Sequence, residues 1–99
     1  DVYNALNIPN PFARSTTFTF QRSSSRPVDV EIRVYAISGR LIASMQMSAV
    51  TDRFVAIPWD GRDQNGDQIS NGVYFYKIIT RDMQSMNTRE VIGKLARLQ

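Results

Sequence analysis

The chain has 99 residues, of which 42% are hydrophobic, and a formal net charge of +3 at neutral pH. This length supports one domain with a single core, so residues 1–99 are predicted to form one domain, and the absence of an initial Met indicates a piece of a longer protein. Cysteine and histidine are both absent, which excludes disulfides and thiolate chemistry and removes the usual general base at neutral pH. We therefore predict no catalytic site and no cofactor in this segment.

The charged residues are dispersed along the chain. The 9 Asp and Glu residues are scattered among the 12 Lys and Arg residues, without a basic run and without the interleaved aromatics typical of a nucleic-acid surface. No apolar run approaches the roughly 18 residues that a membrane span requires. The sequence thus predicts neither a nucleic-acid partner nor a membrane span.

The N-terminal part predicts two strands separated by a rigid corner. Asp1 to Phe12 is interpreted as a short edge strand ending at Pro9-Asn10-Pro11, where two prolines stiffen the backbone and withhold N–H donors. Ser15 to Gln21 alternates, with Phe18 and Phe20 on one face, as in a half-buried strand.

A β-hairpin is predicted next. Val28 to Ala36 alternates apolar and polar residues, Ser38-Gly39-Arg40 has turn composition, and Leu41 to Met47 returns with apolar residues on one face. We expect Met45 and Met47 to fill the core.

The C-terminal half predicts three more strands and a long turn. Phe54 to Trp59 is a strand that ends at an edge, and Gly72 to Thr80 is a central strand buried on much of both faces. Thr88 to Leu98 is the last strand, with Gly93 marking a bulge. Asp-Gly and Asn-Gly pairs punctuate residues 60–72. Together these segments predict an all-β fold, a β-sandwich of about seven antiparallel strands.

Two side-chain groups in this half suggest ligands, and each has a simpler explanation. The oxygen-bearing side chains of Asp60, Asp63, Asn65 and Asp67 are calcium candidates, but the acids that an EF-hand loop requires are missing, and turn formation is favoured. A second group of aromatic residues would suit a carbohydrate-stacking platform, although half of them must face the core of a strand-based fold: Trp59, Tyr74, Phe75 and Tyr76.

The charges of the last strand also allow two interpretations. Arg89, Lys94 and Arg97 could contact a partner, but isolated charges on a terminal strand usually keep an edge soluble, which is the interpretation we favour.

The order of four sequence blocks resembles a known family. The blocks are Asn10-Pro11-Phe12 followed by Ser15-Thr16-Thr17, Val34 to Leu41, Trp59 to Asp63, and Gly72 to Tyr76. They resemble the Ig-like C-terminal domains of type IX secretion in Bacteroidota, and they are also similar to the Ig-like domain of flagellar hook-capping proteins. The resemblance spans nearly the whole chain and implies an Ig-like β-sandwich.

The resemblance further implies that the domain is a non-catalytic sorting signal. The parent protein would cross into the periplasm and be directed by this domain to outer-membrane secretion machinery and a sortase, ending at the outer membrane, at the cell surface or secreted. The residues implied in recognition lie in the Gly-Arg hairpin, the Gly-Val-Tyr strand and the C-terminal region 90–99: Gly39, Arg40, Gly72, Val73, Tyr74, Lys94 and Leu95.

The alternatives that the sequence leaves open concern the parent and the partner. The long Asp/Gly turn is similar to the version of this domain on the sortase component, but cargo is equally compatible, as is a structural or carbohydrate-binding module of a surface or flagellar protein. A partner strand, including one from a second copy, could add to the edge at residues 4–8 or at residues 88–98.

Overall fold

The computed structural model describes residues 2–99 and folds them into two antiparallel β-sheets packed face to face. The seven strands are β1 (Val2–Ile8), β2 (Thr16–Arg22), β3 (Val28–Tyr35), β4 (Leu41–Val50), β5 (Phe54–Trp59), β6 (Gly72–Asp82) and β7 (Thr88–Arg97). One sheet has the order β1-β2-β5 and the other β4-β3-β6-β7. The predicted seven-stranded Ig-like β-sandwich is confirmed. Within residues 2–99 no helix is long and apolar enough to cross a membrane.

The core lies between the sheets, where the inward residues of each strand meet. Strands β2 and β3 show the predicted alternation, and Phe18 and Ile32 are fully buried. Aromatic rings join the two layers, because the Phe18 ring centroid lies 5.0 Å from that of Tyr76 in the other sheet. Within its own sheet, the Phe18 centroid lies 6.0 Å from that of Trp59. Burial of such rings supplies much of the hydrophobic stabilisation in a domain without disulfides.

Strand β4 departs from the predicted alternation. Val34 pairs with Ala43 and Tyr35 pairs with Leu41, so Ile42 is an additional residue and is buried together with Ala43. Met47 is 44% exposed, so the prediction that it fills the core is wrong. It is exposed because β4 is an edge strand of the four-stranded sheet. Met45 is partly buried and packs against the core as predicted.

Strand β6 is central as predicted, between β3 and β7, but it is buried on one face only. Val73 and Phe75 are exposed on the other face, since a two-layer sandwich leaves the outer face of each sheet in solvent.

The predicted bulge at Gly93 is also wrong. The ladder between β6 and β7 runs without interruption, and Gly93 lies opposite Tyr76. A Cβ at this position would lie 2.4 Å from Cζ of Tyr76, so the glycine makes room for a ring.

The proline corner, between β1 and β2 of the three-stranded sheet, brings the chain to the β7 edge of the other sheet. Beyond β1, the Phe12 N–H donates to the Ala96 carbonyl at 3.0 Å, and the Leu98 N–H donates to the Phe12 carbonyl at 2.9 Å. The Asn10 amide adds bonds to the Lys94 carbonyl (3.1 Å) and from the Ala96 N–H (3.0 Å). The C-terminal half of the β7 edge is therefore covered by residues 10–12.

Candidate functional site

Exposed apolar side chains cross the outer face of the four-stranded sheet at one end. Strand pairing places Leu41, Tyr35, Phe75 and Lys94 in one row, with Leu41 40% and Phe75 37% exposed. Val73, 45% exposed, lies two residues before Phe75 on the same face. We call Leu41, Tyr35, Phe75 and Val73 the outer-face strip.

The Gly-Arg hairpin turn adjoins the outer-face strip, because it joins β3 to β4 at that end. The Gly39 N–H and the Ala36 carbonyl are 2.9 Å apart, and the Ala36 N–H donates to the Arg40 carbonyl at 2.9 Å. Gly39 has a φ of +91°, which other residues rarely adopt. Both Arg40 and Ile37 are exposed beside the strip.

Charged side chains border the strip on the same face. The Lys77 ammonium lies 5.6 Å from the centroid of the Tyr35 ring and 3.5 Å from Oε1 of Glu90. Arg33 donates two bonds of 3.0 Å to Glu31, and this hydrogen bonding holds the pKa of the Glu31 carboxyl below its usual value. An apolar strip bordered by cations suits protein recognition.

The residues implied in recognition divide between the two faces of the sheet. Gly39, Arg40, Val73 and Lys94 are exposed around the outer-face strip, and Gly72 is exposed at the start of β6.

Tyr74 and Leu95 face each other on the inner side and are buried. The Tyr74 hydroxyl donates to the Ser70 carbonyl at 2.7 Å, which anchors the long turn. Substitution of either residue would act first on folding.

Arg97 is a structural residue that sequence reasoning misjudged. It was predicted to keep an edge soluble, but it is buried, with Nε donating to the Ala13 carbonyl at 2.9 Å and Nη1 to the Ile69 carbonyl at 2.8 Å. The available signal was its spacing of two from Leu95, which places both side chains on the inner face.

The oxygen-bearing side chains after β5 build turns. Asp63 Oδ1 accepts from the N–H groups of Asn65 (2.9 Å) and Asp67 (3.0 Å), and Asp60 Oδ1 accepts from that of Arg62 (3.1 Å). Across residues 2–99, no group of three or more His, Cys, Asp or Glu side chains could hold a metal ion. Turn formation accounts for the side chains of Asp60 and Asp63.

The hypothesised aromatic platform does not assemble. Trp59, Tyr74 and Tyr76 are buried, and of the four rings only that of Phe75 is exposed. Burial raises the pKa of the Tyr76 hydroxyl. The alternation of side chains across β6 directs both tyrosines inward, so the carbohydrate-stacking interpretation of these four rings is wrong.

Two antiparallel sheets, of three and four strands, pack around one core that contains buried aromatic rings, and this arrangement defines an Ig-like β-sandwich domain. A model of the FlgD Ig-like domain matches residues 6–82. The chain belongs to the FlgD Ig-like domain family.

Solved structures share this fold. The dimeric latent PorU of Porphyromonas gingivalis matches with a TM-score of 0.81 at 22% identity, over 95% of this chain and 9% of PorU. PorZ of the same organism, described as an essential surface component of the type IX secretion system, matches with a TM-score of 0.53 at 20% identity, over 97% of this chain and 12% of PorZ.

The hook-capping protein FlgD of Xanthomonas campestris matches with a TM-score of 0.66 at 15% identity, over 94% of this chain and 64% of FlgD. The chain thus spans about a tenth of the two Porphyromonas proteins. A search of curated proteins found no significant match.

Proposed function

We propose that this domain is a non-catalytic recognition domain that directs its parent protein through type IX secretion at the outer membrane. The observation that carries the proposal is the agreement between the ordered sequence blocks and the fit of 95% of the chain to a segment of PorU. The translocon and the sortase are the proposed partners. The parent would pass through the periplasm and reach the outer membrane, the cell surface or the medium.

The outer-face strip is the proposed contact with this machinery. Phe75 and Val73 offer apolar area, and Arg40 and Lys94 place cations at its border. Apolar area bordered by charge gives affinity at the centre of an interface and orientation at its rim.

Point substitutions test the strip better than truncation does. Removing residues 90–99 would take Leu95 and Arg97 out of the structure, and the resulting loss of export would report unfolding. A reporter fused to the domain would instead carry the double substitution Val73→Ser and Phe75→Ser. We expect export to fall while the melting temperature of the domain stays close to that of the unsubstituted protein.

The matched control is Phe54→Ser, which removes an aromatic ring that is 60% exposed on the outer face of the other sheet. Export should persist in this control. Equal export of the double variant and the control would remove the strip from the proposal.

A structural module of a flagellar or other surface protein is the second candidate function. The family match over residues 6–82 and the fit to FlgD favour it. In that case a fused reporter would stay in the periplasm. If the domain bound no glycan on an array, this candidate function would be restricted to a structural role.

Strand addition is a second proposed mode of contact, including dimerisation. Strand β1 is an edge of its sheet and presents exposed Tyr3, Leu6 and Ile8. The β7 edge remains a candidate only over residues 88–92, because Asn10 and Phe12 cover the rest. Sedimentation velocity would test this: a dimer that Leu6→Lys dissociates supports β1, whereas a monomer at all concentrations contradicts dimerisation.

A further inference from the structure

The strands of the three-stranded sheet carry no charged side chain on their outer face. Strand pairing arranges this face in three cross-strand rows, each with one residue from β1, one from β2 and one from β5. The rows are Tyr3-Gln21-Phe54, Leu6-Thr19-Ala56 and Ile8-Thr17-Pro58. Both β1 and β5 are edge strands, where charged side chains are usual. A face without charge suits a ligand that is itself neutral.

The first of these rows places two exposed aromatic rings on either side of the central strand. Tyr3 is 47% and Phe54 is 60% exposed, and each lies opposite Gln21 on a neighbouring strand. Two strand spacings of about 5 Å each therefore separate their backbones. Because a single sugar ring is smaller than this separation, a ligand that contacts both aromatic rings must extend over several units.

Two side-chain amides lie in the same part of the face. Asn4 has a φ of +53° at an irregularity in the register of β1 with β2, and its Nδ2 donates to Oε1 of Gln21 at 2.7 Å. This bond leaves the NH₂ group of Gln21 as a donor and Oδ1 of Asn4 as an acceptor, and within residues 2–99 neither has another hydrogen-bond partner. The row thus combines apolar ring area with a donor and an acceptor.

The outer face of the four-stranded sheet provides an internal comparison. Its apolar strip is bordered by charged pairs, Lys77 with Glu90 and Arg33 with Glu31, which suit the orientation of a protein partner. The face around Gln21 has amides where the other face has ions. Amides beside aromatic rings suit a ligand that presents hydroxyl groups and C–H groups together.

We propose that the Tyr3-Gln21-Phe54 row binds a neutral oligosaccharide of several pyranose units, laid across the strands. The C–H groups on one side of a sugar ring pack against the electron-rich face of an aromatic ring. One unit would stack on Tyr3 and another on Phe54, with the amides of Asn4 and Gln21 bonding hydroxyl groups between them. This row shares no residue with the aromatic platform rejected above. The proposal is independent of the secretion role.

The test is an NMR titration of the folded domain with the neutral oligosaccharides cellohexaose, mannohexaose and xylohexaose. Glucose and hexagalacturonate serve as the short and the anionic comparison. We expect saturable shifts at the amides of residues 3–4, 21 and 54 with at least one neutral hexasaccharide. Glucose should bind more weakly, because it reaches only one ring.

Substitution of either ring tests the row directly. Tyr3→Ser and Phe54→Ser should each weaken binding about fivefold or more, since each removes one stacking contact. Both side chains are exposed, so we expect melting temperatures close to that of the unsubstituted domain. The two positions lie on different strands, so a loss of folding in one variant leaves the other as the test.

Phe75→Ser is the matched control, because it removes an exposed ring from the outer face of the other sheet and should leave binding unchanged. Phe54→Ser also separates this proposal from the secretion role, since it should lose oligosaccharide binding while export persists. Four results would overturn the proposal: no saturable shift with any neutral hexasaccharide, equal binding of glucose, tighter binding of hexagalacturonate than of every neutral hexasaccharide, or equal effects of Phe54→Ser and Phe75→Ser.

Discussion

Arg97 ties three parts of the chain together with one buried guanidinium. Its bonds reach Ala13 after the proline corner and Ile69 in the long turn. Because these carbonyls lie in connections, the end of the sandwich depends on a polar side chain as well as on apolar packing.

We predict that Arg97→Ala lowers the free energy of unfolding by about 2 to 3 kcal/mol, because buried carbonyls lose their donor. Lys94→Ala, an exposed position on the same strand, should change it by less than about 0.5 kcal/mol. Urea denaturation of both variants measures the difference. Equal, small effects would contradict the structural role of Arg97.

A second prediction concerns Gly93, because the Tyr76 ring occupies the space that a side chain at this position would need. Gly93→Ala should destabilise the domain by about 1 to 3 kcal/mol through overpacking. In a Tyr76→Leu background the same substitution should cost less, since the ring is gone. A double-mutant cycle measures this coupling, and additive effects would contradict the proposed contact.

The sequence alone can predict that the Arg97 side chain faces the core, but it cannot predict that Gly93 packs against Tyr76. The spacing of Arg97 from Leu95 fixes its face, whereas the packing of Gly93 depends on the register between β6 and β7. Register describes how two strands are aligned, and the hydrophobic pattern of one strand does not specify it.

The edge of β7 is stabilised by contacts from residues 10–12, which are distant in sequence. We predict that Asn10→Ala accelerates hydrogen exchange of the Ala96 amide, because Asn10 Oδ1 is its acceptor at 3.0 Å. The Leu95 amide, which points toward β6 because the Ala96 amide points to the edge, is the internal control and should keep its protection. Unchanged exchange at Ala96 in solution NMR would contradict the covered edge.

Two loops at the other end are joined by the ion pair between Arg26 and Asp82, 2.8 Å apart. The hydrogen bonds from Arg26, Ser85 and Gln84 hold the pKa of Asp82 well below its usual 3.8. Asp82 has a lower pKa in the folded protein than in the unfolded chain. Its contribution to the free energy of unfolding is therefore complete at a pH above the unfolded-state pKa, and it is lost as the pH falls from that pKa toward the folded-state pKa.

The melting temperature should accordingly fall as the pH decreases from about 5 to 2, and Asp82→Asn should flatten that dependence. Asp67→Asn, an exposed acid in the long turn, is the control and should leave the slope in place. Parallel profiles for the two variants would contradict a clamping role for Asp82.

Strand periodicity predicts β2 and β3 well, because each has one buried face that repeats every second residue. It fails for β4, where an additional residue at Ile42 shifts the alternation, and for the outer face of β6, where Val73 and Phe75 are apolar but exposed. The second failure bears on the proposed contact, since Val73 and Phe75 lie next to Leu41 and Tyr35 and contiguous apolar patches are common interaction sites.

At the scale of the whole molecule, the outer-face strip and the ion pair between Arg26 and Asp82 lie at opposite ends of the sandwich. The outer-face strip adjoins the β3–β4 turn, and the ion pair joins the β2–β3 connection to the end of β6. Sequence blocks predicted residues around the strip, but the ion pair joins Arg26 and Asp82, which lie far apart in the chain. Only the pairing of β3 with β6 brings these two residues together.

The export of a reporter tests the central claim most directly. One fusion would carry this domain, and a matched fusion would carry the Ig-like segment of Xanthomonas FlgD, which shares the fold at 15% identity. Expressed in a type IX secreting host, the first reporter should reach the surface or the medium and the second should stay in the periplasm. Retention of both reporters, or equal export of both, would contradict the claim that this domain is a type IX recognition signal.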